Sequence, residues 1–298
     1  MVKSTNAQQR FAAIGVLVLT LKLVLCLEDW FLIYSFGLSN PQLQQATGVG
    51  GNFTENETNK QKMDDLNQKI DKVDAFLNFI NEKDTFENLE DIRSISIHSL
   101  AHTTQSYLFS LFLNKELQNI EYVKKNISQT INQEHLDTIN YIYDGFLKNA
   151  FFINLFVFVE NHIRQIALHY EKSLKDINVT SISLTFKNIR NLNKVTHFES
   201  LDYKDEELFA FYCYIRNTMH NVGFQTESDK SIIITDKNSI FKFKKTEIKL
   251  LQNSPNNITF EDLLILQEQI IKLILKVNSL IPKSDFIKHK FTDLGFNN

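Results

Sequence analysis

The chain has 298 residues, 43% hydrophobic and 22% charged, long enough to bury a substantial core as one large domain or two smaller ones. Only three prolines and eight glycines argue against a turn-rich β protein, and apolar residues recur at helical spacing, so the expected fold is mostly α. A net charge of −3 provides no global basic field for nucleic acid, and Cys26 and Cys213 are too few and too scattered for a disulfide framework, which agrees with a reducing, cytoplasmic compartment.

Residues 1–37 contain the apolar run 11–27, broken by Thr20 and Lys22, and Glu28 and Asp29 interrupt before Trp30 to Tyr34 resume it. As a helix, the run spans about 25 Å, short of the roughly 30 Å hydrocarbon core, and a central lysine costs about 2.5–3.5 kcal/mol on insertion. The reading is a buried or partner-covered helix, with peripheral or anchored membrane association through residues 11–34 as the alternative. No small-x-small cleavage site follows, so a signal peptide fits poorly. Residues 38–62 are polar, with the cluster Thr47-Gly48-Val49-Gly50-Gly51-Asn52, and read as a flexible linker. The cluster lacks the Gly-Lys-Ser/Thr ending of a phosphate-binding loop. From 63 to 149 the chain reads as helical, opened by the amphipathic series Met63, Leu66, Ile70, Val73, Leu77 and Ile80. His98 and His102 share a helix face, but neither a metalloprotease glutamate nor a third ligand accompanies them, so no metal site and no cofactor are expected.

The chemistry-bearing residues lie in 150–298. Glu160 and Arg164 are four apart, in the favourable order for a helical ion pair worth about 0.2–0.5 kcal/mol when exposed. Arg164 and His169 are five apart and point about 140° away from each other, so they do not act together. Helical spacing aligns Lys187, Arg190 and Lys194 on one face. A helix over 204–222 carries the stripe Leu208, Phe211, Tyr212, Ile215, Met219 and Val222, with Arg216 and His220 on its edge about 40° apart. Gly223 supplies a left-handed stop. A guanidinium and an imidazole on one face suit phosphodiester chemistry, because the first clamps phosphate oxygens and the second titrates near neutral pH. Residues near a helix C-terminus with these charges equally favour the macrodipole. Beyond the helix, Ser231–Thr235 and Ile240–Lys244 flank the polar turn 236–239 and read as a β-hairpin, with Lys242 and Lys244 on one face. These basic groups are either a hold on an RNA backbone or a solvated face.

The stretch Ile215-Arg216-Asn217-Thr218-Met219-His220-Asn221-Val222-Gly223 resembles the signature helix of HEPN (higher eukaryotes and prokaryotes nucleotide-binding) domains, an all-helical family of RNA-cleaving toxins and phage-defence effectors. The run Val159-Glu160-Asn161-His162-Ile163-Arg164 looks like the family's earlier helix, and 260–281 like its terminal apolar helix; the resemblance covers about residues 150 to 281. The interval from Arg216 to His220 is one residue shorter than the family's common spacing. The resemblance implies a HEPN-like helical bundle with a small β-hairpin insertion and an additional N-terminal helical region. It further implies a metal-independent endonuclease on RNA that leaves 2′,3′-cyclic phosphate ends, with Arg216, His220 and Asn217 catalytic and Glu160 and Arg164 supporting the site. Lys187, Arg190, Lys194, Lys242 and Lys244 would hold RNA. Expected partners are the RNA substrate, a second copy in a homodimer, and an antitoxin or defence protein. The alternative is a non-catalytic HEPN-like binding or dimerisation module, or a membrane-associated adaptor.

Overall fold

A computed structural model describes residues 55–83, 88–170, 181–190, 198–220, 223–243 and 245–288. The apolar run 11–34 and the glycine cluster at 47–52 lie outside the described residues. The chain divides into compact units at Met1–Thr58 and Asn59–Asn298; of the first, only the opening turn of a helix is described. Seven α-helices and one two-stranded antiparallel ladder make up the described residues, so the mostly helical expectation holds.

Helix α1 (Glu55–Asn81) begins inside the segment read as linker, so residues 55–62 are helical. Their polarity misled the composition reading, because a helix tolerates a polar opening when apolar turns follow it. Leu66, Ile70, Val73, Phe76, Phe79 and Ile80 are those turns, and all are buried. Helix α2 (Ile92–Leu117) is capped by Asp91, whose carboxylate accepts the Arg93 N–H at 2.9 Å and the Arg93 guanidinium at 2.8 and 2.7 Å. The short α3 (Ile120–Asn126) is capped by Asn119. Helix α4 (Gln133–Tyr170) is the longest, at 38 residues, and packs along α2. It runs through the boundary expected at 149/150. Leu147 and Phe151 belong to the same core, so no domain division falls there.

By length and composition α4 also meets the requirement for a membrane span, with a window of mean hydropathy 1.4 that is 33% buried. Core helices share that property, and α4 buries Leu136, Leu147, Phe151, Phe152, Leu155, Phe156, Val159, Ile163 and Ile166.

Helices α5 (Ile182–Arg190) and α6 (Tyr203–His220) follow, with a 3₁₀ turn at Phe198–Ser200 between them. Strand β1 (Lys230–Ile234) pairs with β2 (Thr246–Leu250) in the register Ile232 to Ile248. The hairpin exists, but its second strand is not the expected 240–244. Lys242 adopts φ 55°, which a strand cannot hold, and the Ile240 N–H and Ser239 hydroxyl are drawn to the carboxylate of Glu268 at 3.0 and 2.5 Å. Helix α7 (Phe260–Leu280) carries that glutamate, opens on a Thr259 cap, and is buried along one whole face. After it, the chain returns to the start of α2, where the Ile287 carbonyl accepts the Ile92 N–H at 2.9 Å.

Candidate functional site

Helix α6 is specified at both ends. Asp202 and Asp205 form a reciprocal capping box, each carboxylate accepting the other's N–H at 2.9 and 3.0 Å. At the C-terminal end the Gly223 N–H donates to the Thr218 carbonyl at 2.8 Å while Gly223 takes φ 84°, the left-handed conformation expected of it. The loop at 253–256 pins this terminus. Asn256 Nδ2 donates to Thr218 Oγ1 at 2.6 Å, and the Asn256 N–H donates to the Gly223 carbonyl at 2.6 Å.

Between its ends, α6 buries the described part of the expected stripe; Val222 lies outside the described residues. Phe211, Tyr212 and Ile215 are buried with Phe209 and Cys213, and Leu208 and Met219 are partly buried against them. Tyr212 lies between Phe152 and Phe156 of α4, each with its ring centre 5.1 Å away, and exchanges a hydrogen bond with Gln267 of α7. Full burial of such side chains is worth about 1.5–3 kcal/mol each, which makes this stripe the main anchor of the helix.

Arg216 sits on the edge of that anchor. Its guanidinium carbon lies 5.4 Å from the centre of the Phe156 ring, and its Nη1 donates to Asn217 Oδ1 at 3.3 Å. Phe156 is one turn before Glu160 and two before Arg164, so the three form one line along α4. Arg164 donates to Glu160 Oε1 through Nε at 2.9 Å and Nη2 at 2.7 Å, with both side chains about one-fifth exposed. Cys213 lies among these charges. Burial pushes its thiol up to about 12, the Glu160 carboxylate adds to the rise, and Arg216 and Arg164 oppose it. The thiol therefore stays protonated at neutral pH and is no nucleophile.

Glu160, Arg164 and Arg216 thus all lie near enough to the Cys213 thiol at the α4–α6 edge to act on it. A cation over an aromatic face contributes about 0.5–1 kcal/mol and a partly exposed helical ion pair about 0.3–0.5 kcal/mol. Both are small beside the buried stripe, so these charged groups are not what holds α6 in place.

His220 is the last residue of α6; its side chain lies outside the described residues, as do Lys194 and Lys244. The helix backbone turns about 40° between positions 216 and 220. The other basic residues stand elsewhere. Arg190 and Lys187 of α5 pair with Glu206 at 2.9 and 3.7 Å, in the first turn of α6. That is ten residues from Arg216, or about 15 Å along the axis. Lys242 is exposed in the loop between the strands. His169 stands edge-on to Tyr170, with ring centres 4.8 Å apart. Among the described residues no group of three or more His, Cys, Asp or Glu side chains is placed to hold a metal ion.

The partner of Arg216 is the part sequence reasoning missed. An aromatic one turn before the Glu160/Arg164 pair was the available signal, masked by the many phenylalanines of α4. No protein-family model, curated protein or solved structure matches the chain. Its class is therefore defined by fold alone: a mostly helical protein with a small antiparallel ladder, in which Arg216 of α6 lies over Phe156 of α4, one turn from the Glu160/Arg164 pair.

Proposed function

We propose that the protein is a metal-independent RNA endonuclease of the HEPN type, acting in the cytoplasm as a toxin or defence effector. The observation that carries this reading is Arg216 over the Phe156 ring, one turn along α4 from the Glu160/Arg164 pair, at the helix edge that His220 continues one turn further. Guanidinium groups suit a phosphodiester, because they bind phosphate oxygens in a fixed planar geometry. In the reaction, the ribose 2′-hydroxyl attacks the adjacent phosphorus while its proton passes to a base, the role assigned to His220. The bond from phosphorus to the 5′-oxygen breaks, that oxygen leaves with a proton, and a 2′,3′-cyclic phosphate remains. Arg216 stabilises the charge on the phosphoryl oxygens, Glu160 orients Arg164 beside it, and Asn217 holds the Arg216 guanidinium. The nucleophile belongs to the RNA, so no metal is required to generate it. Two protomers with their α6 helices together would double these groups in one cleft, and an antitoxin or defence protein would restrain the activity.

Incubation of the purified chain with mixed RNAs in EDTA tests the reading. Arg216→Ala and His220→Ala are each expected to lower the cleavage rate by about 10²-fold or more while leaving the fold intact. Equal rates in wild type and both variants would end the assignment. A second reading, a non-catalytic binding or dimerisation module, draws on Phe109, Phe112 and Leu113, which share an exposed face of α2. A wild-type chain that dimerises but never cleaves would favour it.

A further inference from the structure

We propose that the outer edge of β2 pairs with the same strand of a second copy, antiparallel about Ile248, so that two ladders join into one four-stranded sheet. In a two-stranded ladder each strand has one edge that the other does not cover, and such an edge presents N–H and C=O groups that template a further strand. Here the two edges differ. Strand β1 lies against α6, whereas β2 packs to a comparable extent on no element but β1. Among the described residues, no hydrogen bond outside the ladder engages the backbone of β2. Thr246 reaches Asp262 of α7 through its hydroxyl, not its backbone, at 3.4 Å.

The side chains choose the occupant and the register. Ile248 and Leu250 are buried, while Glu247 and Lys249 project from the other face, about half exposed and 3.1 Å from each other. They stand one residue to either side of Ile248. A two-fold pairing centred on Ile248 therefore sets Glu247 opposite the partner's Lys249, and Lys249 opposite the partner's Glu247. The same register places Leu251, half exposed just past the strand, opposite the partner's Lys245, whose aliphatic stem can cover it. Other registers are penalised. Centring on Glu247 opposes two glutamates and centring on Lys249 opposes two lysines, while a slip of one residue sets core-facing side chains against solvent-facing ones. A lysine on an edge strand ordinarily guards against pairing, because it repels its own copy. This strand instead carries both signs in mirror positions, which attract a second copy.

Sedimentation velocity of the full chain at low salt tests the proposal. The wild type is expected to self-associate reversibly and weakly, since five residues per strand make a small interface. Glu247→Lys and Lys249→Glu each turn both complementary pairs into like-charge pairs, and each should weaken this association about tenfold or more without changing the melting temperature. An equimolar mixture of the two variants is complementary again in the mixed pair and should recover it. Three results would overturn the proposal: single variants that associate as the wild type does, a mixture that recovers nothing, or a wild type that stays monomeric up to roughly 0.5 mM, which would leave the edge to a strand of another protein. Association through α6 is insensitive to both substitutions, and the RNA cleavage assay does not depend on them, so this contact and the nuclease reading fail separately.

Discussion

At His162 the protein holds an imidazole with 0% exposure. Its Nδ1 meets Ser96 Oγ at 2.8 Å, and its Nε2 faces the Asn278 amide without a well-formed hydrogen bond. Burial drives its pKa down to about 4, outweighing the opposing influence of Asn278 and the Ile92 backbone. The folded pKa lies below the unfolded value of about 6.5, so the unfolded chain takes up the proton first as pH falls. Stability is therefore complete above about pH 6.5, lost progressively down to about pH 4, and unaffected by this group below that. Urea titrations at pH 7.5 and pH 5 should show wild type losing about 2 kcal/mol more than His162→Gln. Equal losses would show that His162 carries a proton in the folded protein. The sequence displayed this histidine only as a neighbour of Glu160 and Arg164. Its burial depends on Ser96 and Asn278, which are 66 and 116 residues away along the chain, beyond any local pattern. Arg216, by contrast, could be assigned to the edge of its helix from spacing alone, although its Phe156 partner could not.

At the scale of elements, helix signals read well wherever they are local: the α6 stripe, its acidic first turn and its glycine stop all lie within one stretch of sequence. Gly223 occupies φ 84°, and a Cβ there would meet nothing within 4 Å. Gly223→Ala should therefore cost about 1–2 kcal/mol through backbone strain alone, measurable by denaturant unfolding. No loss would mean that the turn rearranges at little cost. The misplaced strand shows what local reading misses. Ile240-Phe241-Lys242-Phe243 alternates as a strand should, but Glu268, fully buried on α7, recruits Ser239 and the Ile240 N–H into a loop. Lys272 joins the same carboxylate at 2.6 Å and Asp236 at 2.5 Å. Burial pushes the Asp236 carboxyl up, but hydrogen bonds from Lys272, Gln269 and the Asn238 N–H more than offset this and hold it below its ordinary value. Lys272→Met leaves Glu268 without its cation. The expected loss is about 2–3 kcal/mol, below the full range for breaking a buried pair because Lys272 is partly exposed. A melting temperature unchanged by this substitution would mean that Ser239 and the Ile240 N–H suffice for the glutamate.

For the whole molecule, composition conveyed the helical class, and the apolar periodicity of 63–80 and 204–222 conveyed two of its helices. The boundary near 149 did not survive, because α4 continues through it with one core on either side. The basic patch at 187–190 was visible as a helix face, but its partner Glu206 comes from the next helix, and only the packing of α5 on α6 brings them together. What the α4–α6 edge does as a unit is the central claim, and the chemistry of RNA ends tests it most directly. The full chain, incubated with a defined RNA in EDTA, is predicted to yield fragments ending in 2′,3′-cyclic phosphate, and Arg216→Ala and His220→Ala to yield none above background. Fragments ending in 3′-hydroxyl groups, or no cleavage by the folded wild-type chain, would contradict it.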